Sequence, residues 1–321
     1  MKKKQILLSC AVAVFLCSVV SLKADVTGKI VFSDVAVQKL YVMNIDGTPV
    51  NVNHLGVSYN QFPHWSPDGQ WITFQGNQAD GGNAQIWVIQ PGGSGLRRVT
   101  DGSGQLTSPS FSPGGTKILY SQLYGDLYTI NLDGSDNQPL GASGGHAEWS
   151  PDGTKISYTR YGYGGNYDSD IFTYDLASKT EKNLTVDFHI LYQGFAHATW
   201  SPDGTTLALG GFKYDGNWDV FRININADGT GTGFVNLTEE LTSTNENWPH
   251  WSLDGQNILF DRNVGGVQDI WAMGIDGSSP LPLGIANNMI PEQGISYFDI
   301  VPEPATLFLL TLGGLALRRR K

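Results

Sequence analysis

Cysteine is almost missing from this sequence of 321 residues: Cys10 and Cys17 are the two present, and both fall within the first 24. A chain that loses that segment on export has neither disulfides nor thiolate metal ligands, so its stability has to come from packing. Basic charge is also scarce. Between residues 25 and 300 there are 12 lysines and arginines against 29 aspartates and glutamates, a net charge of −17. Such a body is repelled by nucleic-acid phosphates and by anionic lipid, and no nucleic-acid partner is expected. Long apolar runs are lacking too. The two greasiest segments, residues 6–20 and 305–317, are shorter than the ~20 residues that a spanning helix needs.

What is present begins with two terminal segments of unusual composition. Lys2, Lys3 and Lys4 precede the apolar run 6–20, and Ser21-Leu22-Lys23-Ala24 offers a cleavage site, the pattern of a removable signal peptide over residues 1–24. A retained N-terminal anchor is the alternative. Near the other end, Pro302-Glu303-Pro304 introduces the apolar segment 305–317, followed by Arg318-Arg319-Arg320-Lys321. A prolyl linker, a greasy stretch and a cationic stop would halt export with the basic end inside. Residues 301–321 resemble a PEP-CTERM sorting tail. The resemblance implies exosortase-type machinery that recognises Pro302, Glu303 and Pro304, with transient membrane anchoring through the tail. A plain C-terminal anchor is the alternative.

Residues 25–300 are built of repeats, the feature to seek before any local structure. One anchor reads Trp65-Ser66-Pro67-Asp68-Gly69 and recurs at Phe111, Trp149, Trp200 and Trp251, with Gly114 for the Asp in one copy and Leu253 for the Pro in another. A second, aliphatic then aromatic, reads Leu40-Tyr41, Ile86-Trp87, Leu127-Tyr128, Ile171-Phe172, Val220-Phe221 and Ile270-Trp271. These six copies have a mean period of 46, and six such units make the 276 residues of this body. Each unit holds four short strands: A ends at the Trp, B follows the turn, C carries the second anchor, and D comes after a turn such as Asn131-Leu132-Asp133-Gly134. Proline presets φ, Asp suits the next position and Gly takes positive φ, so Ser-Pro-Asp-Gly reads as an A–B hairpin turn. The expectation is an all-β, six-bladed β-propeller with four-stranded blades.

These repeats resemble the TolB-like family of six-bladed propellers, whose WD40-like units carry a Trp-Ser-Pro-Asp-Gly signature. The first unit lacks its strand A. The segment 288–300, with Ile295-Ser296-Tyr297-Phe298, is placed to return, supply it and close the ring. The tryptophans fit packing between blades better than stacking on a ligand, since a blade buries aromatic area against its neighbours.

Fold does not give function. Strand order puts the short A–B and C–D turns on one face of the disc and the longer B–C and D–A loops on the other. Tyr161, Tyr163, Tyr167, Phe188, Tyr192, Tyr214 and Trp218 lie in those longer loops and are the candidate ligand-binding residues, for a protein or a polysaccharide. Rings folded down over the blades are the bland alternative. Four histidines flank the Trp anchor: His64 and His250 one residue before it, His146 and His197 three before it. On a regular strand these positions share a face, near the channel mouth at the loop-bearing end, where imidazoles from different blades could meet a divalent metal. They are suggestive of the metal-binding histidines of oligogalacturonate-lyase-like propellers. Gly141-Ala142-Ser143-Gly144-Gly145 matches a nucleophile elbow but sits in an all-β context in a D–A loop. The reading is therefore an exported, non-catalytic binding module of the cell surface or extracellular matrix, with no cofactor. The alternative is a metal-assisted polysaccharide lyase or hydrolase.

Overall fold

The 46-residue unit folds into a four-stranded antiparallel sheet, six times over, in the computed structural model. Residues 28–34, 39–45, 49–53, 57–78, 82–123, 125–162, 168–241, 244–283 and 295–301 are described. Blade 1 holds β1 (Lys29–Asp34), β2 (Lys39–Asn44) and β3 (Pro49–Asn53), and blade 2 holds β4 (Val57–Trp65), β5 (Ile72–Gln78), β6 (Gln85–Ile89) and β7 (Arg97–Arg98). Blade 3 follows with β8 (Leu106–Phe111), β9 (Lys117–Gln122), β10 (Asp126–Asn131) and β11 (Gln138–Ser143). Blade 4 is β12 (Gly145–Trp149), β13 (Lys155–Tyr161), β14 (Ser169–Asp175) and β15 (Thr180–Asn183). Blade 5 is β16 (Tyr192–Trp200), β17 (Thr206–Lys213), β18 (Trp218–Ile225) and β19 (Gly231–Asn236). Blade 6 is β20 (Asn245–Trp251), β21 (Asn257–Val264), β22 (Val267–Gly274) and β23 (Leu281–Pro282). The last strand, β24 (Ile295–Val301), pairs with β1 and becomes strand A of blade 1, so the sheet order is β24-β1-β2-β3. The expected closure is what the chain does.

The core is a set of clusters between blades. Val31, Leu40, Val42 and Val301 of blade 1 pack on Trp65, Ile72, Phe74 and Ile89 of blade 2. On the other side Ile30, Phe32, Met43 and Phe298 pack on Leu259, Ile270 and Ala272 of blade 6. Trp251 also donates its indole N–H to the Thr199 carbonyl of blade 5, at 3.2 Å.

The turn signature explains itself at atomic level. Ser66 Oγ donates to Asp68 Oδ1 at 2.6 Å and accepts from the Trp71 N–H at 2.9 Å, while Gly69 takes φ of +67°. The proline has a second job, across the blade boundary. A Cβ placed on Gly115 would stand 3.7 Å from Pro67 Cδ, and one on Gly255 would stand 3.5 Å from Pro202 Cδ. The turns thus touch around the ring at van der Waals distance, which is why Pro and Gly recur together.

A third repeated element escapes the two anchors. Thr100, Thr185 and Thr238 at the end of strand D are buried, and their hydroxyls accept from the N–H groups of Ile86, Ile171 and Val220 at 3.2, 3.1 and 2.9 Å. This ties strand D to the start of strand C.

Candidate functional site

Strand A is not a regular strand. In blades 2 to 6 its ladder shifts so that two residues oppose one, for example between Thr107 and Ser110 or between Asn247 and His250. The first bulge residue is left-handed in each: Phe62, Ser108, His146, His197 and Trp248 have φ between +48° and +58°. Glycine is the usual occupant of such a bulge, and a larger residue there costs about 1 kcal/mol or more. Here the sequence keeps side chains, and all five line one cavity where the inner strands converge.

The four candidate histidines do come together in this cavity, in two pairs. The rings of His146 and His197 meet edge to face at 4.5 Å, and Trp248 stacks on His197 at 3.3 Å. His64 and His250 flank Asp299, with Nδ1 atoms 3.7 and 3.8 Å from its carboxyl oxygens. The histidines lie one and three residues before the strand-ending Trp. His64, His197 and His250 fall in the half of β4, β16 and β20 nearer the A–B turn, which corrects their expected place at the loop-bearing end, whereas His146 is the second residue of β12.

Burial dominates the electrostatics. It presses His146 down to about 3, and His250 to about 4 against the opposing pull of Asp299. His197 also lies well below the ordinary imidazole value, through burial and then the neighbouring His146. Those three rings are neutral at pH 7. Glu148, on the same wall, is pushed up to about 8, first by burial and then by Asp299. Neither Glu148 nor Asp299 stands out in the sequence. The bulge register is the signal that would have found Glu148, because it holds the position of His64 and His250.

Three of the four Nδ1 atoms have hydrogen-bond partners. His64 Nδ1 lies 2.9 Å from the Trp65 carbonyl, His146 Nδ1 3.1 Å from Ser108 Oγ, and His197 Nδ1 3.1 Å from Asn247 Oδ1. Among the described residues, no group of three or more His, Cys, Asp or Glu side chains is arranged to hold an ion. Ser143 ends β11 and donates to Asp126 at 2.6 Å, so it lies at a strand end rather than in the expected D–A loop.

The candidate loop aromatics separate into three groups. Phe188 stacks on Phe234 at 3.9 Å, and Tyr192 meets Phe221 edge to face at 4.9 Å; both pack onto the blade 5 core instead of facing outward. Trp218 is half-buried against Phe212 and His197, and Tyr161 is half-buried with its ring 6.3 Å from that of His146. Tyr214 remains on the surface, 63% exposed, and donates its hydroxyl to the His189 carbonyl at 2.8 Å. Tyr163 and Tyr167 lie outside the described residues.

Beside Tyr214 runs a feature that composition hides. In the D–A loop between blades 4 and 5, Val186, Ile190 and Leu191 are 55, 85 and 61% exposed. The loop is held in place: His189 Nε2 sits 2.8 Å from Asp170 Oδ1, which also accepts from Thr185 Oγ1 at 2.6 Å. A set of aliphatic side chains is thus displayed on an ordered support.

Comparison with known proteins agrees with this architecture. The family described as the TolB beta propeller domain matches residues 126–296, and the PEP-CTERM protein-sorting motif matches residues 301–321. An uncharacterized protein of Agrobacterium fabrum is 32% identical over 140 residues, 38% of this chain and 47% of that protein. The chain therefore aligns with less than half the length of this curated relative. TolB from Acinetobacter baumannii superposes with a TM-score of 0.66 at 24% identity, over 86% of this chain and 67% of that one. An oligogalacturonate lyase in complex with manganese gives 0.53 at 16% identity, over 80% and 74%. At such identities the structural likenesses speak for the fold. With the domain match covering more than half of the sequence, the chain belongs to the TolB β-propeller domain family and carries a PEP-CTERM motif, which implies export and exosortase-related processing.

Proposed function

We propose that this protein is an exported, non-catalytic module of the cell surface or extracellular matrix that binds a protein or polysaccharide through the loop-rich face of its propeller. The observation that carries the reading is the apolar group Val186, Ile190, Leu191 and Tyr214 on adjoining D–A and B–C loops. Exposed apolar side chains in one place mark interaction sites. Loops already ordered by the Tyr214 to His189 and His189 to Asp170 contacts lose little entropy on binding. Aliphatic tips favour a protein over a sugar, since sugar recognition draws on flat aromatic faces and many hydrogen-bonding groups. The test is a screen of residues 25–301 against surface proteins and glycans. Binding that Ile190→Ser with Leu191→Ser reduces at least tenfold supports the reading, and binding indifferent to that pair overturns it.

The alternative, a metal-assisted polysaccharide lyase or hydrolase, draws on the four cavity histidines and on the fold shared with the manganese-bound lyase. It is the weaker reading because, among the described residues, no three His, Cys, Asp or Glu side chains are arranged to hold an ion. Metal content and cleavage of acidic polysaccharide, in the chain and in its His146→Ala, His197→Ala variant, separate the two.

A further inference from the structure

The two ends of the folded body meet at one point. Val301, the last residue of β24, pairs with Lys29, and a Cβ on Gly28 would run into the Val301 carbonyl oxygen. That point is the place of a turn. Ile300 pairs with Ile30 as Trp65 pairs with Ile72, so Val301 stands where Ser66 stands in blade 2. In the sequence Pro302 follows Val301 directly. Val301 even makes the contact that the prolines make elsewhere, 3.6 Å from a Cβ placed on Gly69 of the next blade. The sorting motif thus begins where the A–B turn of blade 1 would be, one residue beyond a buried ring-closing strand.

We propose that before processing the A–B turn face of the propeller is turned toward the membrane and the loop-rich face points away from it. The inference rests on the reading of residues 301–321 as a membrane-associated sorting tail. Three residues separate Val301 from the apolar segment that starts at Ala305, so the tether reaches at most ~14 Å when fully extended. Part of that length crosses the headgroup layer, roughly 5–8 Å deep on one side. The nine residues of β4 run through the disc, which at ~3.3 Å per residue puts the two faces about 30 Å apart. The tether is too short to let the loop face reach the bilayer. Ile190, Leu191 and Tyr214 then face outward while the chain is still anchored.

The test uses the full chain with Cys10→Ser and Cys17→Ser, carrying one fluorophore at Gln256→Cys in the blade 6 A–B turn or at Ile190→Cys in the loop face. Each is reconstituted into phosphatidylethanolamine and phosphatidylglycerol vesicles that contain a headgroup nitroxide lipid. The label at position 256 should be quenched at least threefold more than the label at 190. Spacers of 20 Gly and Ser residues after Thr27 and after Val301 should abolish the difference. Equal or reversed quenching in the unspaced chain overturns the orientation while leaving the tail reading intact. A difference that survives the spacers overturns the tether as its cause. A chain that fails to float with the vesicles overturns the tail reading, and this inference with it.

Discussion

Asp299, in the last strand, accepts a 2.6 Å hydrogen bond from the backbone N–H of Trp65, 234 residues earlier in the chain. Its other carboxyl oxygen accepts from the Ile300 N–H at 2.8 Å, and the carboxyl is buried with β24 between blades 6 and 2. Replacing Asp299 by Ala leaves a buried N–H without a partner and should lower stability by about 1–3 kcal/mol. Deleting Ile295–Val301 should abolish the cooperative melt, since blade 1 loses its inner strand. Thermal unfolding by circular dichroism checks both, and a deletion that melts cooperatively at an unchanged temperature refutes the closure.

The turns offer a gain as well as a loss. In blade 5 Ser201 Oγ donates to Asp203 Oδ1 at 2.6 Å, whereas in blade 3 Gly114 fills the Asp position and Ser112 keeps its bond from the Lys117 N–H at 3.1 Å. A Cβ on Gly114 meets nothing closer than Thr116 Oγ1 at 4.0 Å. Gly114→Asp should stabilise by about 1 kcal/mol, through the restored bond and a less flexible unfolded chain. Asp203→Ala should cost a similar amount, and each change should move Tm by ~2–4 °C in opposite directions.

The cavity makes stability depend on pH. Glu148 titrates near 8 in the folded chain, pushed up by burial and by Asp299, and near 4.3 when unfolded. Between those values the folded state holds a proton that the unfolded state lacks, so stability falls as pH rises from about 4 to about 8. His146 and His250 have the opposite sign. With folded values of about 3 and 4 they are neutral while the unfolded chain is protonated, and their contribution grows with pH up to about 6.5. Denaturant melts across this range should peak in mildly acidic to neutral solution. Glu148→Gln should flatten the alkaline limb, which for one group has a slope of at most ~1.4 kcal/mol per pH unit. An unchanged limb in that variant rules out Glu148 as its source.

Packed and displayed residues of the same loops should part company. Phe188→Ala and Tyr192→Ala each strip a ring from the cluster around Phe195, Phe221 and Phe234 and should cost about 2 kcal/mol of stability. Ile190→Ser is 85% exposed and should leave Tm within 1–2 °C, near the ±0.5 kcal/mol of an ordinary surface change. Affinity should follow position 190 and ignore 188 once the fold is intact, and surface plasmon resonance beside a melting curve distinguishes the two.

The division between what sequence shows and what structure adds runs along the range of the interactions. Blade number, the hairpin turns and the closing strand are legible because the A–B turn, the period-2 alternation and the missing first strand A are each encoded within about 46 residues. The histidines were legible as a group, since they flank a repeated Trp. Their height in the channel was not. Expecting positions one and three before the Trp to share a face assumes an unbroken pleat, and the bulge at His146 and His197 breaks it. Loop aromatics misled for a related reason: Phe188 and Tyr192 look like their exposed neighbours until Phe234, from strand D of blade 5, arrives to stack on one of them.

By itself the sequence determined a six-unit antiparallel ring, an anionic body without usable cysteine, and a sorting motif just beyond it. Those are properties of local pattern and composition, and they do not depend on which residues meet across the channel. Only the tertiary structure decided that Glu148 and Asp299 join the histidines, that Ile190 and Leu191 stand outside while Phe188 goes in, and that Val301 ends at the turn face. The first and last are set by ring closure and the second by strand D of blade 5, contacts that bring together side chains from about 40 to more than 200 residues apart, and no repeat carries information at that distance.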